Sequence, residues 1–176
     1  KNASGASESI DTEHVICAAP PQSGQALFDG LPVLQGMLRK IDYTSTIMVN
    51  FFLDRALPAK GWVYVLSRHD GHRAAFAIDC MKRCPPAFPD GKSVIMVSFV
   101  NPLAKQYLGK TDEELTKICL EDMKIYLPDL AAMTKKVSVV RRAIAVPTFQ
   151  TGMFAQIRAL EQESLKTPGL NLVGDY

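Results

Sequence analysis

Two histidines and two cysteines near the middle of the chain are residue types that bind metal ions. His69 and His72 flank an Asp-Gly pair, and Cys80 and Cys84 follow shortly afterwards. Imidazole and thiolate are common zinc ligands, but this spacing is not that of a common zinc module. Turn histidines beside ordinary thiols are therefore the favoured interpretation, and a metal-dependent domain stays open as an alternative.

A second candidate is the segment at residues 147–152, with the sequence PTFQTG. It joins a predicted strand to a predicted helix and has Phe149 at its centre. A structural turn explains the segment taken alone, although an aromatic side chain at such a junction can also line a ligand pocket. The acidic run from Asp112 to Glu114 is better explained as favourable charge at a helix N-terminus than as a catalytic carboxylate cluster.

Familiar catalytic and nucleotide-binding motifs are missing from the sequence. It contains no Gly-x-Gly-x-x-Gly, no Walker-type loop and no Gly-x-Ser-x-Gly. Without a glycine turn that opens a helix, we expect no pyrophosphate cradle within this chain.

The elements that must position these residues are clearest in the middle of the chain. Apolar runs rich in β-branched and aromatic residues occur at residues 46–53, 62–67, 73–79 and 93–100. Asp70-Gly71 separates the second run from the third, and Asp90-Gly91 precedes the fourth; both pairs are strong turn signals. These features predict an antiparallel meander of four strands. Several runs are apolar on both faces, which predicts that the sheet is covered on both sides.

Helices and further strands surround this sheet. Thr111 and Glu114 form a predicted capping box, followed by an apolar helical face of Leu115, Ile118, Cys119, Met123 and Tyr126, with Pro128 as the stop. Residues 23–28, 32–39 and 153–165 are predicted helices, the last with Phe154, Ile157 and Leu160 facing inward. Residues 15–19, 137–146 and 170–173 are predicted strands. The fold class is therefore α+β, a mixed and mainly antiparallel sheet flanked by helices.

Composition limits the function classes. The 176 residues are 47% hydrophobic and 22% charged, with a formal net charge of +2. The near-neutral charge argues against a nucleic-acid partner, and no apolar run is long enough to span a membrane. No signal peptide is visible, and the four cysteines fit buried free thiols in a reducing compartment, so a cytoplasmic location is expected.

Three segments carry a resemblance to a known family: residues 13–21 with the sequence EHVICAAPP, residues 142–152, and residues 168–176 with the sequence PGLNLVGDY. Together they resemble the flavin-containing amine oxidoreductase superfamily, which includes protoporphyrinogen oxidases, phytoene-desaturase-like enzymes and monoamine oxidases. The first segment resembles the strand that returns to the family's FAD domain, and the last resembles the family's closing strand and its Gly-Asp turn. Residues 142–152 resemble the segment that passes the flavin face.

The resemblance implies a domain arrangement. Residues 1–12 are a loop or disordered segment, residues 13–21 a strand from a missing FAD-binding domain, residues 22–168 the substrate-binding domain, and residues 169–176 the return to the FAD-binding domain. It implies that the parent protein transfers a hydride from a substrate to FAD. Because the dinucleotide fingerprint is absent, we expect the isolated chain to retain no FAD and to be inactive.

The resemblance also implies site residues. Ala19, Pro20, Gly174, Asp175 and Tyr176 are expected to contact the cofactor. Substrate-binding residues are expected to be Phe149, Pro147 and Trp62, and no catalytic residue or metal ligand is assigned.

The expected substrate is a small, apolar molecule, flat or elongated, because the 146–149 segment lacks the paired aromatics of an amine cage. Such substrates partition into membranes, which leaves peripheral membrane contact of the parent open. The alternative is a non-enzymatic module that binds a hydrophobic ligand.

Overall fold

The computed structural model describes residues 9–21, 25–58, 61–88 and 91–174. Its strands are β1 (Val15–Cys17), β2 (Tyr43–Leu53), β3 (Val63–Val65), β4 (Phe76–Asp79), β5 (Ser93–Val100), β6 (Thr134–Pro147) and β7 (Leu170–Leu172). Its α-helices are α1 (Pro32–Leu38), α2 (Cys80–Arg83), α3 (Leu103–Tyr107), α4 (Asp112–Met123), α5 (Leu130–Met133) and α6 (Met153–Ser164). Short 3₁₀ helices occur at Gln25–Phe28, Arg68–Asp70 and Pro85–Ala87.

Several predictions fall on residues outside the described ranges. These are the first residues of the 1–12 segment, the start of the helix at residues 23–28, Asp90 of the second turn, and Asp175 and Tyr176 at the proposed cofactor site. Within the described residues, helices and a mainly antiparallel sheet confirm the α+β class.

The chain divides into two compact units. Unit 1 draws on Lys1–Tyr43 and Val146–Tyr176, and unit 2 is Thr44–Ala145. The domain boundaries that the resemblance implies stay a prediction.

Unit 2 contains a five-stranded sheet with the order β3-β4-β5-β2-β6. The predicted meander is wrong at its first step, because β2 pairs with β5 and not with β3. The Asp-Gly signal belongs to the β3–β4 hairpin, which does form. β2 ends at Leu53 and β3 begins at Val63, so the connection between them is not a two-residue hairpin turn. The long strands β2 and β5 instead pair over eight positions, from Thr46 opposite Val100 to Leu53 opposite Ser93.

Three contacts define how β6 lies beside β2. The Ser45 hydroxyl donates to the Ala143 carbonyl, the Asn50 amide donates to Ser138 Oγ, and Lys136 Nζ lies over the Phe52 ring. Residue numbers rise along β2 as they fall along β6, so the two strands run antiparallel. β6 is therefore an edge strand of the sheet.

One face of this sheet carries the core of unit 2. Side chains alternate between the two faces of a strand, and β2 places Ile47, Val49, Phe51 and Leu53 on the buried face. They pack with α4, α5 and the buried residues of β5. Burial of Val, Leu, Ile or Phe side chains stabilises a fold by about 1.5–3 kcal/mol each, so this cluster is the main source of stability in unit 2.

Helix α4 begins with the predicted capping box. Thr111 Oγ1 accepts from the Glu114 N–H at 3.2 Å, and the Glu114 carboxylate accepts from the Thr111 N–H at 2.9 Å. The helix ends at Met123, before the predicted stop. Tyr126 therefore leaves the helical repeat, and the prediction that it faces inward is wrong: it is exposed, beside the rings of Tyr64 and His72.

Unit 1 pairs β1 and β7 in parallel, with Val15 opposite Leu170 and Cys17 opposite Leu172. Helices α1 and α6 contribute Leu34, Leu38, Met153 and Leu160 to its core, which also contains Phe28 and Ile41. The prediction that Phe154 faces inward is wrong, since 72% of its surface is exposed. Met153, Ile157 and Leu160 form the inward stripe, and one residue along a helix rotates the side chain by about 100°.

The four cysteines are free, but their surroundings differ. Cys17 and Cys119 are buried, Cys80 is half-buried and Cys84 is exposed. The prediction of a buried thiol is wrong for Cys84, because it follows the end of α2 and precedes Pro85. In the described parts of the chain, no helix combines the length and the apolar composition needed to cross a bilayer.

Candidate functional site

The carboxyl ends of β1 and β7 lie together at one edge of the parallel pair in unit 1. Cys17 is opposite Leu172, and the Val173 N–H donates to the Cys17 carbonyl at 3.0 Å. Ala19 and Pro20 follow the first strand, and Gly174 follows the second. In sheets of parallel strands, ligands bind outside the carboxyl ends of the strands. The structure therefore brings three of the predicted cofactor-binding residues to the same edge.

These three residues leave that edge accessible. Ala19 is half-buried, and Pro20 and Gly174 are exposed. Small side chains and an exposed glycine let a ligand approach the backbone closely, which suits the polar chain of a dinucleotide. Ala19, Pro20 and Gly174 are therefore the described residues that could hold part of an FAD molecule.

Gly169 fixes the pairing on which this edge depends. Its φ is +80°, and a Cβ at this position would collide with the carbonyl oxygen of Glu13. The Gly169 carbonyl also accepts from the Val15 N–H at 2.8 Å. The glycine therefore permits β7 to pack closely beside the entry to β1.

Two predicted substrate residues at the end of β6 and just after it, Pro147 and Phe149, differ in exposure. Pro147 is buried, and the next N–H, that of Thr148, donates to the Asp42 carbonyl at 2.8 Å. Phe149 is 58% exposed and its ring centroid lies 6.0 Å from that of Phe154. Phe149 therefore presents apolar surface, and Pro147 anchors the segment.

Trp62, the third predicted substrate residue, belongs to unit 2. It precedes β3, its carbonyl accepts from the Asp79 N–H at 2.8 Å, and 47% of its surface is exposed.

An apolar surface of unit 2 is the sheet face opposite the core, here called the open face. The strand register places on it these residues: Thr46, Met48, Asn50, Phe52, Val63, Val65, Phe76, Ile78, Val94, Met96, Ser98, Val100, Ser138 and Val140. Most are partly or fully exposed, although Ile78 and Ser98 are buried. Sequence reasoning predicted an apolar sheet face but named none of these residues. The alternation within β2 was the signal that could have found them.

A buried polar cluster lies on the core side of the same sheet. Asp79 is fully buried; its Oδ1 accepts from Ser93 Oγ at 2.6 Å and from the Lys82 N–H at 3.3 Å, and Lys82 Nζ lies 3.4 Å from Oδ2. Burial, together with the charge of Asp79, raises the pKa of Tyr64 above its ordinary value. These contacts cap α2 and join β4 to β5, which makes the cluster structural.

The histidines and cysteines do not assemble a metal site. Among the residues that the structure describes, no three His, Cys, Asp or Glu side chains are grouped so that they could hold a metal ion. His69 is exposed in a 3₁₀ helix, and His72 lies against the Tyr126 ring at 5.8 Å.

The acidic run at the start of α4 has structural partners. Asp112 pairs with Arg141 at 2.6 Å. The N–H of Thr111 and the Lys110 ammonium lower the pKa of Glu114.

Helices α4 and α5 and strand β6 enclose a groove of about 810 Å³ with an apolar floor and a charged rim. It lies on the core side of the sheet, and none of the predicted site residues lines it.

Comparison with solved structures identifies the fold. A protein from Exiguobacterium sp. 255-15 assigned as a protoporphyrinogen oxidase matches with a TM-score of 0.67 and 21% identity, over 92% of this chain and 36% of that one. Reduced UDP-galactopyranose mutase matches with a TM-score of 0.67 and 13% identity, over 92% and 35%. A putrescine oxidase with redesigned cofactor binding matches with a TM-score of 0.59 and 16% identity, over 92% and 36%.

This chain thus spans little more than a third of the proteins that it resembles. A search of curated proteins found no sequence match. The family model for flavin containing amine oxidoreductase matches residues 3–176, almost the whole sequence. The chain belongs to the flavin-containing amine oxidoreductase family.

Proposed function

We propose that this chain forms the substrate-side part of an FAD-dependent oxidoreductase. The open face of unit 2 is the observation that carries the proposal. It is a sheet surface of mostly apolar side chains. The helix residues that belong to the core of unit 2 pack against the opposite face of the sheet.

The open face suits an apolar substrate. Met48, Met96, Phe52 and Val94 occupy neighbouring positions on two paired strands. Binding pockets for small molecules are mostly apolar with a few polar groups, and burial of such a substrate removes water from the reacting atoms. In this proposal the sheet binds the substrate and excludes water from it, and Trp62 adds apolar surface beside β3.

Unit 1 supplies the contacts to the cofactor. Ala19, Pro20 and Gly174 lie at the carboxyl edge of β1 and β7, where backbone groups can approach a dinucleotide. Asp175 and Tyr176 follow Gly174 in the sequence and belong to the same proposed contact. Phe149, which is exposed beside the buried Pro147, is proposed to contribute apolar surface to substrate binding.

Held by Ala19, Pro20 and Gly174, FAD would supply the redox chemistry for hydride removal from a carbon–nitrogen or carbon–carbon bond of the substrate, with oxygen or another acceptor as the final oxidant. The residues of this chain bind and orient the substrate, and none is assigned a proton-transfer step. In this proposal the chain acts together with an FAD-binding region of the same polypeptide.

A visible absorption spectrum of the full-length polypeptide, recorded beside that of the 176-residue chain, tests this function. We expect the absorption bands of oxidised flavin in the full-length protein and none in the isolated chain. A full-length protein that stays colourless after incubation with FAD would overturn the proposal. That result would favour the non-enzymatic module, for which the open face would be the binding surface.

A further inference from the structure

We propose that Asn50 determines which substrates the open face accepts, by taking a hydrogen bond from a donor group on an otherwise apolar molecule. The inference rests on the proposed function, because it assigns a role within the same substrate surface. It names the substrate class as an apolar ring or chain that carries one N–H or O–H group.

The position of Asn50 carries the argument. It lies in the middle of β2, opposite Met96 of β5 and beside Ser138 of β6. Met48 and Phe52 precede and follow it on the same face of the strand. The amide thus has apolar side chains along β2 and across from it on β5, and the polar Ser138 on its other side, where β2 lies next to the edge strand β6.

The hydrogen bonding of Asn50 leaves an acceptor available. Its Nδ2 donates to Ser138 Oγ at 3.4 Å, a long bond that holds the side chain against β6. The other end of the same planar amide is Oδ1, an acceptor with two lone pairs, and no described residue donates a hydrogen bond to it. A polar atom that is covered by a ligand without a partner is costly, so the surface selects against molecules that lack a donor.

The test uses two bicyclic probes of the same shape, indole with its N–H and indene without it. Each is titrated into the ¹⁵N-labelled 176-residue chain while the side-chain amide resonances are followed. We expect the Asn50 resonances to shift and the Kd for indole to be about fivefold lower than that for indene, within the range of one neutral hydrogen bond. Asn101 is the internal control, because its Oδ1 already accepts from the Ser45 N–H at 3.1 Å.

Two variants separate the acceptor from the shape of the site. Asn50→Leu removes the acceptor and should bring the Kd for indole to that for indene. Asn50→Asp keeps an acceptor and should retain the preference for indole. Equal Kd values in the unmodified chain, or a preference that survives in Asn50→Leu, would overturn the inference.

The outcomes are distinguishable from those of the flavin experiment. A full-length protein that contains flavin and shows no preference for indole contradicts the role of Asn50 alone. A preference for indole in a polypeptide that cannot bind FAD contradicts the flavoenzyme alone and leaves Asn50 as a recognition residue.

Discussion

Asp122 shows how one residue in α4 holds the β3–β4 region of unit 2. Its Oδ2 accepts from the N–H groups of Arg73 and Ala74, both at 2.7 Å. Its Oδ1 accepts from the Arg73 guanidinium at 2.9 and 3.1 Å. The carboxylate is almost fully buried, whereas the neighbouring Glu121, which also binds Arg73, is exposed.

The difference in burial predicts that the two carboxylates bound to Arg73 contribute unequally to the free energy of unfolding. Asp122→Ala should lower the free energy of unfolding by about 2–3 kcal/mol, because it leaves the N–H groups of Arg73 and Ala74 without an acceptor, whereas the Arg73 guanidinium keeps Glu121. Glu121→Ala should lower it by less than about 1 kcal/mol, since exposed ion pairs contribute little. Urea denaturation followed by circular dichroism measures both. Equal losses in the two variants would contradict the role assigned to burial.

At the scale of elements, the pairing of β1 with β7 depends on a close approach that only glycine permits. Gly169 combines a positive φ with a position where any side chain would meet the Glu13 carbonyl. Gly36 in α1 belongs to the same unit, has a helical backbone, and has open space around its Cβ position.

Alanine at these two glycines should have effects of opposite sign. Gly169→Ala should destabilise unit 1 by at least about 2 kcal/mol, from the left-handed backbone and the collision together. Gly36→Ala should stabilise it by about 0.5–1 kcal/mol, because alanine loses less backbone freedom in a helix. Hydrogen exchange of the amides of β7 and α6 reports the change within unit 1. Unchanged exchange in Gly169→Ala would show that the close approach does not limit stability.

The sequence predicted individual elements better than their partners. The capping box of α4, the β3–β4 hairpin and the bounds of β5 all follow from local signals, and the structure contains each of them. The pairing of β2 with β5 and β6 has no local signal, since it depends on which long strands meet after the chain has collapsed. The same holds for the open face, because its residues come from five strands and only the register places them together.

For the candidate site, the sequence indicated the two segments that meet at the carboxyl edge of β1 and β7 only through their resemblance to a family. Nothing in residues 13–21 or 168–176 alone states that they are neighbours. The sequence did not indicate a role for Asn50. A single polar residue in an apolar run cannot be interpreted until the strand register shows on which face of the sheet it lies.

At the scale of the whole molecule, large apolar side chains are exposed in both units. They include Val65 on the edge strand β3 and Phe154 on α6, each more than two-thirds exposed. Exposed apolar patches mark surfaces that bind a partner or a ligand.

The isolated chain is therefore expected to bind the dye 8-anilinonaphthalene-1-sulfonate. The double variant Val65→Thr/Phe154→Gln should reduce dye fluorescence while it changes the free energy of unfolding by less than about 0.5 kcal/mol, because both side chains lie outside the cores. Gln156→Ser on α6, a polar exchange at an exposed position, is the matched control and should leave the fluorescence unchanged. Fluorescence that is equal in all three proteins would contradict a contribution from these side chains.

The adjacency of β2 and β6 has a consequence for the order of folding. Ser45 and Ala143 are joined by a hydrogen bond, so unit 2 begins and ends at neighbouring points of its own sheet. Unit 1 must bring β1 to β7 across a long stretch of chain, and loop-closure entropy grows with the logarithm of that length. Once unit 2 has folded, its residues act as a short bridge, which shortens the effective loop about threefold and reduces the closure cost by roughly 1 kcal/mol. Unit 2 is thus the natural first folding event, and the edge proposed to meet the flavin is completed last.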